Sequence, residues 1–216
     1  MCGNVDFLFL NRTLRSTLLG DKPTFMKNFV FVFILAAWYA QAPAQGVFAN
    51  QTNGALERVI QDYPNQFKNI KGDLLTSNPR EAEYKSVVTI PGSESSVVTQ
   101  YTGADKHIVS WQAILYSSTD FDKAENKFKS LYGEIKNTIV RLEGERPVIL
   151  NGKYETPEEG KTHTTVVFDI LPATGATRQL KVDLTLQKQN GRWVVVLSVY
   201  DKDRKEDEII VSNKYN

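Results

Sequence analysis

The clearest pattern of apolar and polar positions lies near the end of the chain. Leu180, Val182, Leu184 and Leu186 alternate with Lys181, Asp183, Thr185 and Gln187, and after Asn190-Gly191 the alternation resumes with Trp193, Val195, Leu197 and Val199. Period-2 alternation is the mark of a strand with one buried face. Asn-Gly suits a type I′ hairpin turn, in which both central residues need φ > 0. A two-residue loop pairs Gln189 with Arg192, so the spacing sets Leu186 against Val195, Leu184 against Leu197 and Val182 against Val199. A slip by one residue would turn Lys181 and Asp183 into the core, so the register is expected to be firm. Val194, Val196 and Tyr200 fall on the opposite face, which predicts partial cover there.

A period near 3.6 dominates residues 120–142. Phe121, Ala124, Phe128, Leu131, Tyr132, Ile135 and Ile139 form one stripe, with Lys123, Glu125, Lys127, Lys129 and Glu134 mostly off it. Thr119 and Asp122 form a capping-box-like start, and Gly133 weakens the helix locally. A first helix is read from Leu56, Val59, Ile60 and Tyr63, with Asn53 as N-cap, a break at Pro64 and an end at Gly72. Residues 73–83 are polar and read as a loop. Strands are expected over 84–90, 96–102, 108–117, 148–154 and 162–171, separated by turn signals such as Pro91-Gly92 and Gly103-Ala104-Asp105. The expected fold is α+β: an antiparallel sheet of about six strands with two helices on one face.

Two blocks share an order of helix and three strands, and the spacing of Pro91 to Trp111 is close to that of Pro172 to Trp193. A duplicated α-β-β-β unit is therefore expected. This arrangement resembles, at the level of fold alone, the saddle-shaped repeats of the TATA-binding protein and of the β-lactamase inhibitory protein. Fold does not carry function, so the resemblance implies no site residue.

Upstream of these elements, Lys27-Asn28 lead into an unbroken apolar run, residues 29–40, followed by Gln41-Ala42-Pro43-Ala44. A charged lead, an apolar stretch of about a dozen residues and an Ala-x-Ala site make a secretory signal, and the run is short of the ~20 residues a spanning helix needs. Residues 26–44 are expected to be the signal peptide and residues 1–25 a mis-annotated start or an extended n-region. Residues 45–216 are then one mature domain with a charged tail from about residue 201, exported to the periplasm or the exterior with no transmembrane anchor after cleavage.

Cleavage removes four basic and two acidic residues, leaving 22 and 23 and a net charge of −1. Near-neutrality argues against nucleic acid as a partner. Cys2, the sole cysteine, is removed as well, so thiolate catalysis and disulfides are excluded from the mature domain. Candidate chemistry is sparse. Neither a nucleophile elbow nor a Ser-x-x-Lys helix start appears. His107 and His163 sit at strand starts and read as exposed, though symmetry between the blocks would bring them together. Glu143, Glu145, Glu155, Glu158 and Glu159 read as solvated loop carboxylates. The acidic run from Asp201 fails the calcium-loop spacing, with Glu206 and Ser212 where Gly and Glu are required. No cofactor or metal is expected.

Aromatic residues remain. Tyr116 and Tyr200 fall on the face away from the helices at matching strand ends, with Tyr101 nearby, and these three are the expected contacts for a peptide, glycan or protein ligand. The expected function is an exported, non-catalytic binding domain. The alternatives are a small hydrolase using the loop carboxylates and a cell-envelope structural component.

Overall fold

The computed structural model describes residues 45–102, 107–173 and 175–202, without the side chains of 45–50, 107 and 176. Residues 1–25, the expected signal peptide at 26–44 and the charged tail beyond Lys202 lie outside the described residues. In chain order the elements are α1 (Gln45–Asp62), a 3-10 turn (Tyr63–Asn65), β1 (Lys71–Ser77), β2 (Glu81–Ser86), β3 (Ser95–Thr102), β4 (His107–Ser118) and α2 (Phe121–Ile135). They continue with β5 (Ile139–Val140), β6 (Val148–Gly152), β7 (His163–Leu171), a 3-10 turn (Gly175–Gln179), β8 (Leu180–Gln189) and β9 (Arg192–Asp201).

The strands form one antiparallel sheet of nine, in the order β1-β2-β3-β4-β9-β8-β7-β6-β5. The β8–β9 hairpin carries the expected register: Gln189 opposite Arg192, Leu186 opposite Val195, Leu184 opposite Leu197 and Val182 opposite Val199. Asn190 and Gly191 take φ of 47° and 77°, the left-handed pair that the turn demands. Each half of the chain runs from a helix through an outer strand inward, so β4 and β9 meet at the centre. The offset of 82 residues that relates Trp111 to Trp193 also relates Ile114 to Val196, and these two are partners in the central ladder.

One apolar core lies between the sheet and the two helices. Leu56, Val59 and Ile60 of α1 and Ala124, Phe128, Leu131 and Ile135 of α2 pack on Trp111, Leu184, Leu197 and Val199. Asp120 caps α2, its side chain accepting from Lys123 N at 3.1 Å, in place of the expected Thr119 and Asp122 pair. Asn53 lies inside α1 and is not its cap: its side chain accepts from Thr138 Oγ1 at 3.0 Å. One helical turn along, Glu57 accepts from Arg141 N at 3.0 Å, while Gln61 donates to Arg141 O at 2.9 Å. These two side chains occupy backbone groups just past β5, as a neighbouring strand would, and so blunt that sheet edge. Buried Asp62 gathers the next loop, accepting from Asn65 Nδ2, from the backbone and side chain of Asn69, and from Ile70 N.

The sheet is wider than the apolar pattern suggests because its outer strands carry little of that pattern. β1 and β2 occupy the expected loop at 73–83; most of β1 is exposed, so alternation is absent. The turn between them is built by Asn78, whose Oδ1 accepts from Arg80 N and Glu81 N. α2 stops at Ile135, well short of 142. Lys136 turns extended, with ψ 132°, and Asn137 takes φ 67°, which sends Ile139 into β5 and out to solvent at 48 % exposure.

Candidate functional site

The tyrosines expected to bind do not share a surface. Tyr200 pairs with Ser110, and Tyr101 lies two residues beyond Thr99, the other partner of Ser110, so both are on the face away from the helices. Tyr101 is buried, and the Tyr200 hydroxyl donates to Asp183 Oδ2. A bulge between Ile114 and Tyr116 sets Tyr116 opposite Val195 and packs it against the helix-side core. Tyr116 is thus on the other face from Tyr200 and six residues along β4, roughly 20 Å away.

The histidines are also apart. His163 shares a row with Gln187, Val194 and Ser117, ten residues along β4 from His107. That is about 33 Å along one strand, before the width of three strands is added. The His107 side chain lies outside the described residues. Glu155 and Glu158 pair with Lys161, at 3.7 and 2.9 Å, in an exposed loop. Glu145 instead approaches Gly175, where its carboxylate fills the space that a Cβ would need. Among the described residues no three His, Cys, Asp or Glu gather as metal ligands.

A different pair of tyrosines does converge, where α2 ends beside the end of β6. Lys136, the residue just past α2, stands one turn beyond Tyr132 and donates its N–H to Tyr132 O at 2.9 Å. The Tyr132 hydroxyl donates to Gly152 O at 2.9 Å, which ties the helix to the last residue of β6. Lys153 and Tyr154 follow directly. The Tyr132 and Tyr154 ring centroids are 4.9 Å apart at 52°, backed by Phe128 at 6.1 Å from Tyr154 and Phe168 at 5.9 Å from Tyr132. Offset and tilted rings at these distances attract one another and hold their planes.

Tyr132, Lys136, Gly152, Lys153 and Tyr154, with Asn151 and Asp169, line an open concavity of about 590 Å³. Gly152 at its base admits no side chain: a Cβ there would lie 2.8 Å from Phe168 Cδ1 and 3.0 Å from Val167 O. The Lys136 ammonium is 5.6 Å from the Tyr132 ring centroid. Lys181 pairs with Asp169 at 3.1 Å and offsets its charge, so Lys136 and Lys153 dominate the field of the concavity. Burial, and secondarily the Glu125 carboxylate, raise the Tyr154 phenol above its ordinary pKa of 10.0, so it stays a neutral hydroxyl. No histidine lines the concavity, and it holds a single carboxylate, already paired. The arrangement offers two tilted aromatic rings and positive charge for contact.

A comparison with models of known protein families, with curated proteins and with solved structures finds no match to this chain.

Proposed function

We propose that the chain is an exported, non-catalytic binding domain that holds a peptide, protein or glycan against Tyr132 and Tyr154, with Lys136 and Lys153 meeting negative charge on the ligand. The observation that carries this reading is the tyrosine wall itself: two packed rings beside a 590 Å³ concavity, flanked by Lys136 and Lys153. Export rests on the apolar run and the Ala-x-Ala site. The shared offset of Trp111 with Trp193 and Ile114 with Val196 supports reading the two halves as repeats of one helix-and-strands unit.

Two measurements test the proposal. N-terminal sequencing of the exported form is expected to start at Gln45; a start upstream of Met26 would overturn the export reading. Calorimetric titration with an acidic peptide and with an acidic glycan is expected to give saturable binding to at least one of them. Tyr154→Ala and the double variant Lys136→Ala/Lys153→Ala should each weaken it about tenfold or more. Binding indifferent to both changes would remove the site, and turnover of either ligand would remove the non-catalytic reading.

A further inference from the structure

Three aliphatic side chains stand side by side at the β5 end of the sheet. Ile139 is opposite Ile149, and Ile149 is opposite Leu171. At ~4.8 Å between strands they make a row roughly 10 Å long. Their neighbours along the strands, Val140, Val148, Leu150 and Ile170, belong to the core, so the row faces away from the helices. The three are 48, 42 and 48 % exposed, and Val167, on the same side of β7, is 44 % exposed. Exposed apolar residues are ordinary when scattered, whereas a contiguous set marks a contact surface. The same alternation puts Arg141, Lys153 and Lys181 on this side. Its carboxylates are already engaged, Asp169 by Lys181 at 3.1 Å and buried Asp183 by the Tyr200 hydroxyl. The side chains of Arg141 and Lys153 have no carboxylate partner among the described residues. The loop between β5 and β6 adds exposed Glu143 and Arg146, which offset one another.

We propose that this face rests on an anionic lipid surface, with Ile139, Ile149 and Leu171 entering the apolar edge of the bilayer and Arg141 and Lys153 meeting headgroup phosphates. Charge and area select that occupant. Free cations beside an apolar row complement an anionic membrane, where apolar insertion and attraction to headgroups add. Three aliphatic side chains fall far short of the roughly 800 Å² per partner that a stable dimer buries. Glu57 and Gln61 already occupy the backbone of Arg141 beside β5, which closes that edge to strand addition by a second copy. The apolar row also lacks the aromatic anchors that dominate protein interfaces. A bilayer requires neither strand pairing nor a shaped pocket. The proposal rests on the export reading, which N-terminal sequencing tests separately.

Vesicle flotation of the exported form, recovered with Gln45 at its N-terminus, tests this. The protein is expected to float with vesicles of equal phosphatidylglycerol and phosphatidylcholine, and far less with phosphatidylcholine alone. The double variant Ile139→Thr/Ile149→Thr and the single variant Arg141→Glu should each lower the partition constant about fivefold or more. A retained far-UV circular dichroism spectrum shows that the variants are folded. Ile149→Trp keeps the apolar contact and should give excess emission that shifts to the blue on the anionic vesicles, a reading that needs no loss of binding. Tyr154→Ala should leave the partition unchanged, which separates this face from the tyrosine wall. The proposal is overturned by equal partition to the two vesicle types or by undiminished binding of the Ile139→Thr/Ile149→Thr protein. It is also overturned by equal binding to soluble polyglutamate, the mark of an acidic protein partner, or by a dimer that the same double variant dissociates, the mark of a second copy.

Discussion

Among single side chains, the half-buried Glu83 carries a charge with a measurable signature. It sits on β2 between Thr76 and Thr99, and burial, then the Glu81 carboxylate, raise its pKa above the ordinary 4.5. The folded chain therefore holds this proton more tightly than the unfolded chain does. Ionised Glu83 opposes folding: the opposition is absent below the ordinary value and complete once pH has risen through the raised one. Glu83→Gln is expected to raise stability at about pH 7 and to lose that advantage towards about pH 4, a modest effect because the group is partly solvated. Urea titrations of both proteins at the two pH values check it; an advantage that is the same at both would exclude titration of Glu83 as the cause. At Asp62, four donors converge on one buried carboxylate. Its role was not legible in sequence: Asn65 and Asn69 give no sign that one upstream carboxylate will collect them.

At the scale of elements, the β8–β9 hairpin and α2 separate what local chemistry controls from what neighbours impose. Gly191 has φ +77° and open space around the position of a Cβ, so its requirement is the backbone angle alone. Gly133, inside α2, also has open space, with none of the positive φ. Gly191→Ala is expected to cost about 1 kcal/mol through backbone strain, and Gly133→Ala to gain about the same through helix propensity. Chemical denaturation gives both signs; a gain at Gly191 would mean that the type I′ turn is not what holds the register. The strand pairing of that hairpin was legible down to individual partners because alternation and turn chemistry agree. The end of α2 was not: Ile139 continues the helical period, yet Lys136 and Asn137 divert it into β5, whose pairing with β6 offers hydrogen bonds that a longer helix would forgo. The bulge at Tyr116 is a further event of this kind, and it alone decides which face that tyrosine occupies.

Across the whole molecule, stability rests on one core shared by both halves. Leu184 is fully buried, lies between Val166 and Leu197 in the ladder, and belongs to the same cluster as both helices. Leu184→Ala should cost about 2–5 kcal/mol. If β4 and β9 join the halves into one cooperative unit, fluorescence of Trp111 and Trp193 and far-UV circular dichroism will lose their signals at a common, lowered denaturant midpoint; separate midpoints would show two units. The sequence by itself determined the α+β class, the antiparallel pairing of the last two strands and the positions of the buried faces, because period and turn residues act over a few neighbours. It also excluded thiolate chemistry from residues 45–216. Only the tertiary structure decided the number of strands, since β1, β2 and β5 are edge elements with little apolar signal. It alone brought Tyr132 beside Tyr154 and parted His107 from His163. Such placements depend on distant segments packing together, and no local pattern of residues encodes which distant segments will meet.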